Sequence, residues 1–201
     1  MSGAPLRRAD LDRDPLREFA SWYAQATDAA PAPEAVVLAT ATAAGVPAAR
    51  MVLMKGFDQR GFVFYTNYFS RKGQEIAQNP RAAMLFHWPP LGRQVRIEGA
   101  VHRIDAAESD AYFATRAPGS RLSAAASPQS RPVESRAVLE DAVAELAARH
   151  PDGKVRRPKE WGGLRLVPST YEFWQRGDDR LHDRFRYRRA GEEWVVERLG
   201  P

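Results

Sequence analysis

Residues 35–67, AVVLATATAAGVPAARMVLMKGFDQRGFVFYTN, hold three short apolar runs: Ala35 to Thr42, Ala48 to Phe57 and Phe62 to Asn67. Gly45 separates the first pair, and Asp58 to Gly61 the second. Val, Phe, Tyr and Thr suit a pleated, half-buried surface, and turn residues at this spacing join such runs as hairpins. A parallel sheet would need a crossover of about a dozen residues between neighbours. These gaps are too short, so the strands read as antiparallel.

The pattern continues downstream. Ser70 to Pro80 reads as one small helix, Arg81 to Trp88 as a strand, Pro89-Pro90-Leu91-Gly92 as a turn, and Arg93 to Ile104 as a fifth, half-buried strand. Asp105 with Glu108 three residues on resembles a capping box, predicting a helix to about Thr115. Leu139, Ala142, Val143 and Leu146 mark another apolar helical face. Ala117 to Ser135, rich in Ala, Ser and Pro, reads as a surface loop. Strands return at Leu164 to Val167, Thr170 to Gln175, Leu181 to Arg188 and Glu193 to Leu199, with Gly177 and Gly191 in turns. Upstream, Asp14-Pro15 is an N-cap with Pro at the first helical position, and Leu16, Phe19 and Tyr23 follow at helical spacing. The class is mainly β with flanking helices (α+β), built around a β-barrel. One domain over 1–201 is expected, with a short N-terminal tail of about 1–13.

Composition narrows the chemistry. The 201 residues contain no cysteine, which excludes disulfides, thiolate nucleophiles and Cys-based metal sites. Any redox chemistry must come from a cofactor. His87, His102, His150 and His182 stand at no metal-ligand spacing, so no metal is expected. No apolar run is long enough to span a bilayer and the N-terminus lacks a signal-peptide core, predicting a cytoplasmic protein with no membrane partner. The net charge of +5 favours an anionic ligand. Nucleic acid is not expected, because no aromatic single-strand platform accompanies the charge.

Several residue groups could hold anions. Ser70-Arg71-Lys72 sets two cations at a helix start, although an exposed basic helix start would look the same. Arg50 and Lys55 bracket Met51-Val52-Leu53-Met54. Five apart on a regular strand they face opposite ways, so without a bulge they should hold different anions. Tyr112 and Arg116 share a helix face with Ser120 just beyond, a phosphate clamp or merely a buried Tyr and a solvated Arg. Arg180, His182 and Arg184 alternate, which on a strand puts all three on one face, near Trp174 at the end of the preceding strand.

The chain resembles the pyridoxamine 5′-phosphate oxidase family from about Leu6 to Pro201. The resemblance rests on Arg50 to Lys55, Phe64-Tyr65-Thr66-Asn67 with Ser70-Arg71-Lys72, Arg93-Gln94-Val95, Gln129-Ser130, Trp161-Gly162-Gly163, and Glu172-Phe173-Trp174 through Arg180-Leu181-His182-Asp183-Arg184. It implies an FMN-binding split β-barrel and a homodimer with flavin at the interface. It implies that Arg50, Met51, Val52, Lys55, Tyr65, Thr66, Arg71, Lys72, Gln129 and Ser130 serve the FMN, with Gln94, Trp174 and Arg184 nearer its ring system. By the same transfer, Lys55, Tyr112, Arg116 and Ser120 bind the substrate phosphate, and Arg180 and His182 are the catalytic pair holding the substrate's ring and reacting end.

The implied reaction converts pyridoxamine 5′-phosphate or pyridoxine 5′-phosphate to pyridoxal 5′-phosphate. Hydride passes from the substrate C4′ to flavin N5, and dioxygen then reoxidises the flavin and leaves as hydrogen peroxide. Two alternatives remain: a related flavin oxidase acting on another small aromatic substrate, as in the phenazine pathway, and a non-catalytic FMN or pyridoxal-phosphate binding protein. Two departures from the family pattern stand out. The family's Arg-rich N-terminal segment is not in this sequence, implying a weaker lid, and Ser123-Ala124-Ala125 stands where the family often has Gly-Ala-Trp.

Overall fold

The computed structural model describes residues 5–201. Eight strands are present among the described residues: β1 (Ala35–Ala41), β2 (Pro47–Asp58), β3 (Gly61–Asn67), β4 (Arg81–Trp88), β5 (Arg93–Arg103), β6 (Trp161–Gln175), β7 (Asp183–Ala190) and β8 (Glu193–Arg198). Every pairing is antiparallel. The order is β3-β2-β1-β4-β5-β6-β7-β8, and β3 also pairs with β6. That extra pairing closes the first six strands into a barrel and so removes their free edges. β7 and β8 run on from β6 as a ribbon outside it.

Alternation along the strands fills the barrel. In β1, Val36 and Leu38 point inward into a cluster with Phe62, Phe64, Met84, Phe86, Ile97 and Leu166, and Thr40 on the same face is buried against Glu75. Each fully buried large apolar side chain contributes about 1.5–3 kcal/mol. Helix α1 (Pro15–Ala29) closes one side, with the Asp14 carboxylate accepting from Leu16 N at 2.9 Å as its N-cap. Its apolar stripe buries Phe19, which meets Phe57 and Phe62 edge-on at 5.0 and 4.8 Å. The segment ahead of it, read as a tail, is anchored: Leu6 and Leu11 are buried, Arg198 donates to Leu6 O, and Tyr187 donates to Asp12 O.

The remaining helices are α2 (Arg71–Gln78), α3 (Ala106–Thr115), α4 (Pro118–Ala126) and α5 (Arg136–Arg149). Four features depart from the sequence reading. Residues 118–126, expected as loop, form α4: Pro118 starts it, Ala-rich sequence sustains it, and Leu122 alone is buried. The capping box at Asp105 does not form, because Glu108 instead meets Arg165 at 2.8 Å, and a charged partner outweighs a backbone N–H. The two strands expected over 164–175 are one, β6. It absorbs Pro168 through a register shift at Glu98/Gly99, where a Cβ on Gly99 would lie 1.9 Å from Val167 O. Finally, β7 begins only at Asp183. Asp178–Arg180 is a tight helical turn with Asp179 and Arg180 left-handed (φ 48° and 64°), so Arg180, His182 and Arg184 do not alternate on a strand.

Candidate active site

The start of α2 lies under β1 and β2, and Glu75 organises it. Its carboxylate, 3% exposed, accepts from Thr40, from Arg50 Nη2 at 3.0 Å and from Arg71 Nε at 2.8 Å. Burial alone would raise its pKa; the bonds from Thr40, Arg71 and Arg50 outweigh that and hold it below the usual carboxylate range. Arg50 also donates to Thr40 and to Leu38 O. One turn earlier, Ser70 caps α2 by accepting from Gly73 N, and Gly73 has no room for a Cβ, which would sit 2.3 Å from Tyr68 O.

Beside this cluster opens a cavity of about 320 Å³ between β2, β3, α3 and the segment around Gln129. Four cations face it: Arg50, Lys55, Lys72 and Arg116. The Lys72 ammonium donates to Gln129 Oε1 at 3.0 Å and Thr66 Oγ1 at 3.2 Å, and no ion-pair partner reaches it among the described residues. Burial, then the Arg50 charge, lowers its pKa. Arg116 is likewise without a carboxylate. Its guanidinium lies 4.7 Å over the Trp161 ring, its Nη1 is buried without a hydrogen-bond partner, and burial lowers its pKa. Tyr65 stacks on Tyr112 at 3.8 Å and on Trp161 at 5.3 Å, forming an aromatic wall, and burial pushes the Tyr65 hydroxyl up to about 12. The wall needs the glycines after Trp161: a Cβ on Gly162 would lie 2.1 Å from the Tyr68 hydroxyl, and one on Gly163 3.0 Å from the Tyr65 ring.

The cavity gathers ten of the residues singled out in the sequence: Arg50, Met51, Val52, Lys55, Tyr65 and Thr66, with Lys72, Tyr112, Arg116 and Gln129. Arg50 and Lys55 both line it, although exposure alternates along β2 and keeps them on opposite faces as expected; β2 also shifts register between Met54 and Gly56. Arg71 stays outside, 62% exposed and paired with Glu75. Ser120, in the first turn of α4, and left-handed Ser130 (φ 69°) are exposed and also outside the lining.

A second cluster forms where β5, β6 and β7 meet. Gln94 pairs with Trp174, which pairs with Arg184. Arg184 donates to Glu172 at 2.8 Å, and the same buried carboxylate accepts from Arg96 at 2.5 Å. The His182 ring lies 4.6 Å from Trp174, and its Nδ1 accepts from Gly177 N at 3.2 Å, which leaves Nε2 as the ring's donor position. Arg180 is exposed in the turn beside it. This cluster does not meet the cavity within one chain: Trp161 and Trp174 stand at opposite ends of β6, separated by roughly 40 Å of extended strand. Glu75 went unnoticed in the sequence, and Leu53, Trp161 and Glu172 were noted without a role. Only the Arg71/Glu75 spacing of four on α2 could have flagged one of them.

A six-stranded antiparallel barrel with this helical surround defines the FMN-binding split-barrel class. The fold matches a pyridoxamine 5′-phosphate oxidase-related, FMN binding protein from Nostoc punctiforme, with a TM-score of 0.74 at 22% identity, covering 94% of this chain and 98% of that one. It matches PhzG from Burkholderia lata 383, solved with tetrahydrophenazine-1-carboxylic acid, at TM-score 0.93 and 33% identity over 100% of both chains. Residues 24–150 match the family model described as pyridoxamine 5′-phosphate oxidase, and 161–201 the pyridoxine 5′-phosphate oxidase C-terminal dimerisation region. Pyridoxine/pyridoxamine 5′-phosphate oxidases from Paraburkholderia phytofirmans and Gluconobacter oxydans are 52% and 50% identical, covering 96% and 100% of this chain and 92% and 100% of theirs. The chain belongs to the pyridoxamine 5′-phosphate oxidase family. No helix among the described residues is long and apolar enough to cross a membrane.

Proposed function

We propose that the chain is an FMN-dependent oxidase that converts pyridoxamine 5′-phosphate or pyridoxine 5′-phosphate to pyridoxal 5′-phosphate, using dioxygen and releasing hydrogen peroxide, with water consumed and ammonia also released when the substrate is the amine. The observation that carries this is the pair of cations without carboxylates in one cavity, half-buried Lys72 and Arg116 with its orphaned Nη1. Desolvated charges are costly unless an anion meets them, and two phosphates, one on FMN and one on the substrate, supply that need. The residues therefore fit the cofactor.

Lys72 and Arg50 would take the FMN phosphate, with Glu75 aiming Arg50 and Arg71, and with Thr66 and Gln129 orienting Lys72. Lys55, Tyr112 and Arg116 would hold the substrate phosphate, with Ser120 and Ser130 closing over the two anions from the exposed loop side. The bound flavin supplies the hydride acceptor and returns electrons to dioxygen. Trp174 would wall the ring site, Gln94 and Arg184 would hydrogen-bond there, and Arg180 with the His182 Nε2–H would orient the substrate's reacting carbon. Positioning of this kind accounts for much of the rate in such reactions.

The two clusters stand apart within one chain, so the site is completed by a second copy in a homodimer. Exposed Met51, Leu53 and Leu181, at 58%, 45% and 72%, and the match of 161–201 to a dimerisation region support this. At substrate concentrations well below the KM of Arg116→Ala, where that chain and His182→Ala are each weakly active, mixing the two should bring activity to about a quarter of wild type, because random exchange makes half the dimers mixed, each with one intact site. No recovery on mixing would place both clusters in one subunit's site.

The Burkholderia lata structure favours a second reading, oxidation of a carboxylated aromatic without phosphate. Oxygen uptake by the FMN-loaded protein with pyridoxine 5′-phosphate, compared with unphosphorylated pyridoxine, separates the two. The proposal expects turnover only with the phosphorylated compound.

A further inference from the structure

Glu172 lies outside the cavity, yet two arginines converge on it. It stands two positions before Trp174 on β6, so both side chains fall on one face of the strand, while Phe173 between them is buried in the core. Across the neighbouring strands that face reads as two rows. Gln94, Trp174 and Arg184 form the first, and Arg96, Glu172 and Arg186 the second.

Register alone would pair Glu172 with Arg186, the residue directly opposite on β7. The side chains do otherwise. Arg186 turns to β8 and donates to Glu197 at 3.1 and 2.8 Å. Glu172 is left to Arg184 on the diagonal, where its Oε1 meets Nε and Nη2, both at 2.8 Å. The other oxygen, Oε2, accepts from Arg96 at 2.5 Å, and Arg96 is held in turn by Glu98 at 2.9 Å. On its far side Arg184 donates from Nη1 to the Gly200 carbonyl at 2.8 Å. The guanidinium is thus fixed from both sides and keeps further N–H groups on its terminal nitrogens for a ligand. A buried pair of this kind returns little net stability, so what it supplies is geometry.

We propose that Glu172 is the positioning residue of the flavin-ring site: it aims the Arg184 guanidinium at the ring, with Arg96 locking the carboxylate from behind. The inference rests on the proposed function in one respect, that Arg184 serves the ring. Without the anchor a long arginine side chain spreads over several rotamers, and its charge no longer stays where the ring gains negative charge.

The test is a sulfite titration of the FMN-loaded protein, followed by loss of the flavin absorbance band and needing no turnover. Sulfite adds to oxidised flavin and leaves negative charge on the ring, so its affinity reports a cation held there. Arg184→Gln should weaken sulfite binding about tenfold or more. Glu172→Asp keeps the charge and draws the carboxylate back by one methylene, so it perturbs geometry alone. It should weaken sulfite binding about threefold or more in the wild-type background and leave it unchanged in the Arg184→Gln background, because a residue that acts through Arg184 has nothing to lose without it. A Glu172→Asp chain with a lowered Tm and wild-type sulfite affinity would show a merely structural role and overturn the proposal. The same loss in both backgrounds would overturn it too, as would an Arg184→Gln chain that binds sulfite normally. Should Glu172→Asp not fold, Glu172→Gln enters the same comparison: its missing charge acts in both backgrounds and cancels, which leaves the coupling to Arg184. Adding pyridoxine 5′-phosphate without oxygen to fresh FMN-loaded samples separates the two readings. No bleaching, with the sulfite pattern intact, rejects the proposed substrate and leaves Glu172 in its role.

Discussion

Glu75→Gln tests whether the cationic cluster at the start of α2 is held together by one buried charge. The substitution keeps the shape and one acceptor oxygen but removes the negative charge from a side chain that is 3% exposed. Its pair with Arg71, whose side chain is 62% exposed, is screened and contributes at most about 1 kcal/mol. Its pair with Arg50, 21% exposed, is the larger loss, since removing one partner of a buried pair costs about 3–5 kcal/mol. The amide oxygen can still accept from Thr40 or Arg50, which brings the expected loss to about 2–4 kcal/mol. In a chain of this size that lowers Tm by roughly 5–15 °C.

Two features make the prediction specific. The native carboxylate is held below its ordinary value of 4.5, so the stability it contributes is present above that value and lost as pH falls through the lowered one. Wild type and variant should therefore converge in acid. FMN phosphate would give Arg50 a replacement counter-charge, so the difference in Tm should narrow when FMN is added. Thermal unfolding followed by circular dichroism, with and without FMN at neutral and acid pH, reads both. A loss below about 1 kcal/mol without FMN would refute the reasoning, as would the same loss with and without it.

Arg116→Ala removes a charge-assisted contact and should raise KM for the phosphorylated substrate about tenfold or more while leaving flavin retention unchanged. An unaltered KM in steady-state kinetics would reject Arg116 as a phosphate ligand. Lys72 has a lowered pKa, so its charge costs the FMN-free protein stability below that value, and the cost lifts as pH rises toward the ordinary 10.5. Lys72→Met should therefore leave the FMN-free Tm at or above wild type at neutral pH while weakening FMN binding about tenfold, measured by fluorescence titration; a lower FMN-free Tm contradicts this. Gly73→Ala improves intrinsic helix propensity but drives a Cβ to 2.3 Å from Tyr68 O, so denaturant melts should show net destabilisation rather than a gain.

The barrel was legible because its strands are short, alternating and joined by tight turns, all local properties. Closure was not: the β3–β6 pairing joins Phe62 to Leu166, about a hundred positions apart, and nothing near either residue announces it. Helix α4 was misread because Pro, Ser and Ala describe a loop as well as the first turns of a helix that buries only Leu122. The phosphate-facing cations were visible as motifs, yet their grouping depends on β2, β3, α3 and the Gln129 segment meeting at one cavity, which no local pattern shows. Arg180 was placed on a strand by period alone, whereas two left-handed residues turn the chain there. Nothing in the local sequence marked Glu75 and Glu172, the glutamates behind the arginines, as buried, because their burial is set by tertiary packing.

The central claim is that phosphate-seeking cations and a flavin site combine in one oxidase. The absorbance spectrum of the FMN-loaded protein, recorded without oxygen before and after adding pyridoxamine 5′-phosphate, tests it most directly. Bleaching of the flavin band, reversed on admitting air with release of hydrogen peroxide, is the predicted result. A protein that takes up no FMN, or one whose flavin band stays unchanged with the phosphorylated substrate, would contradict the account.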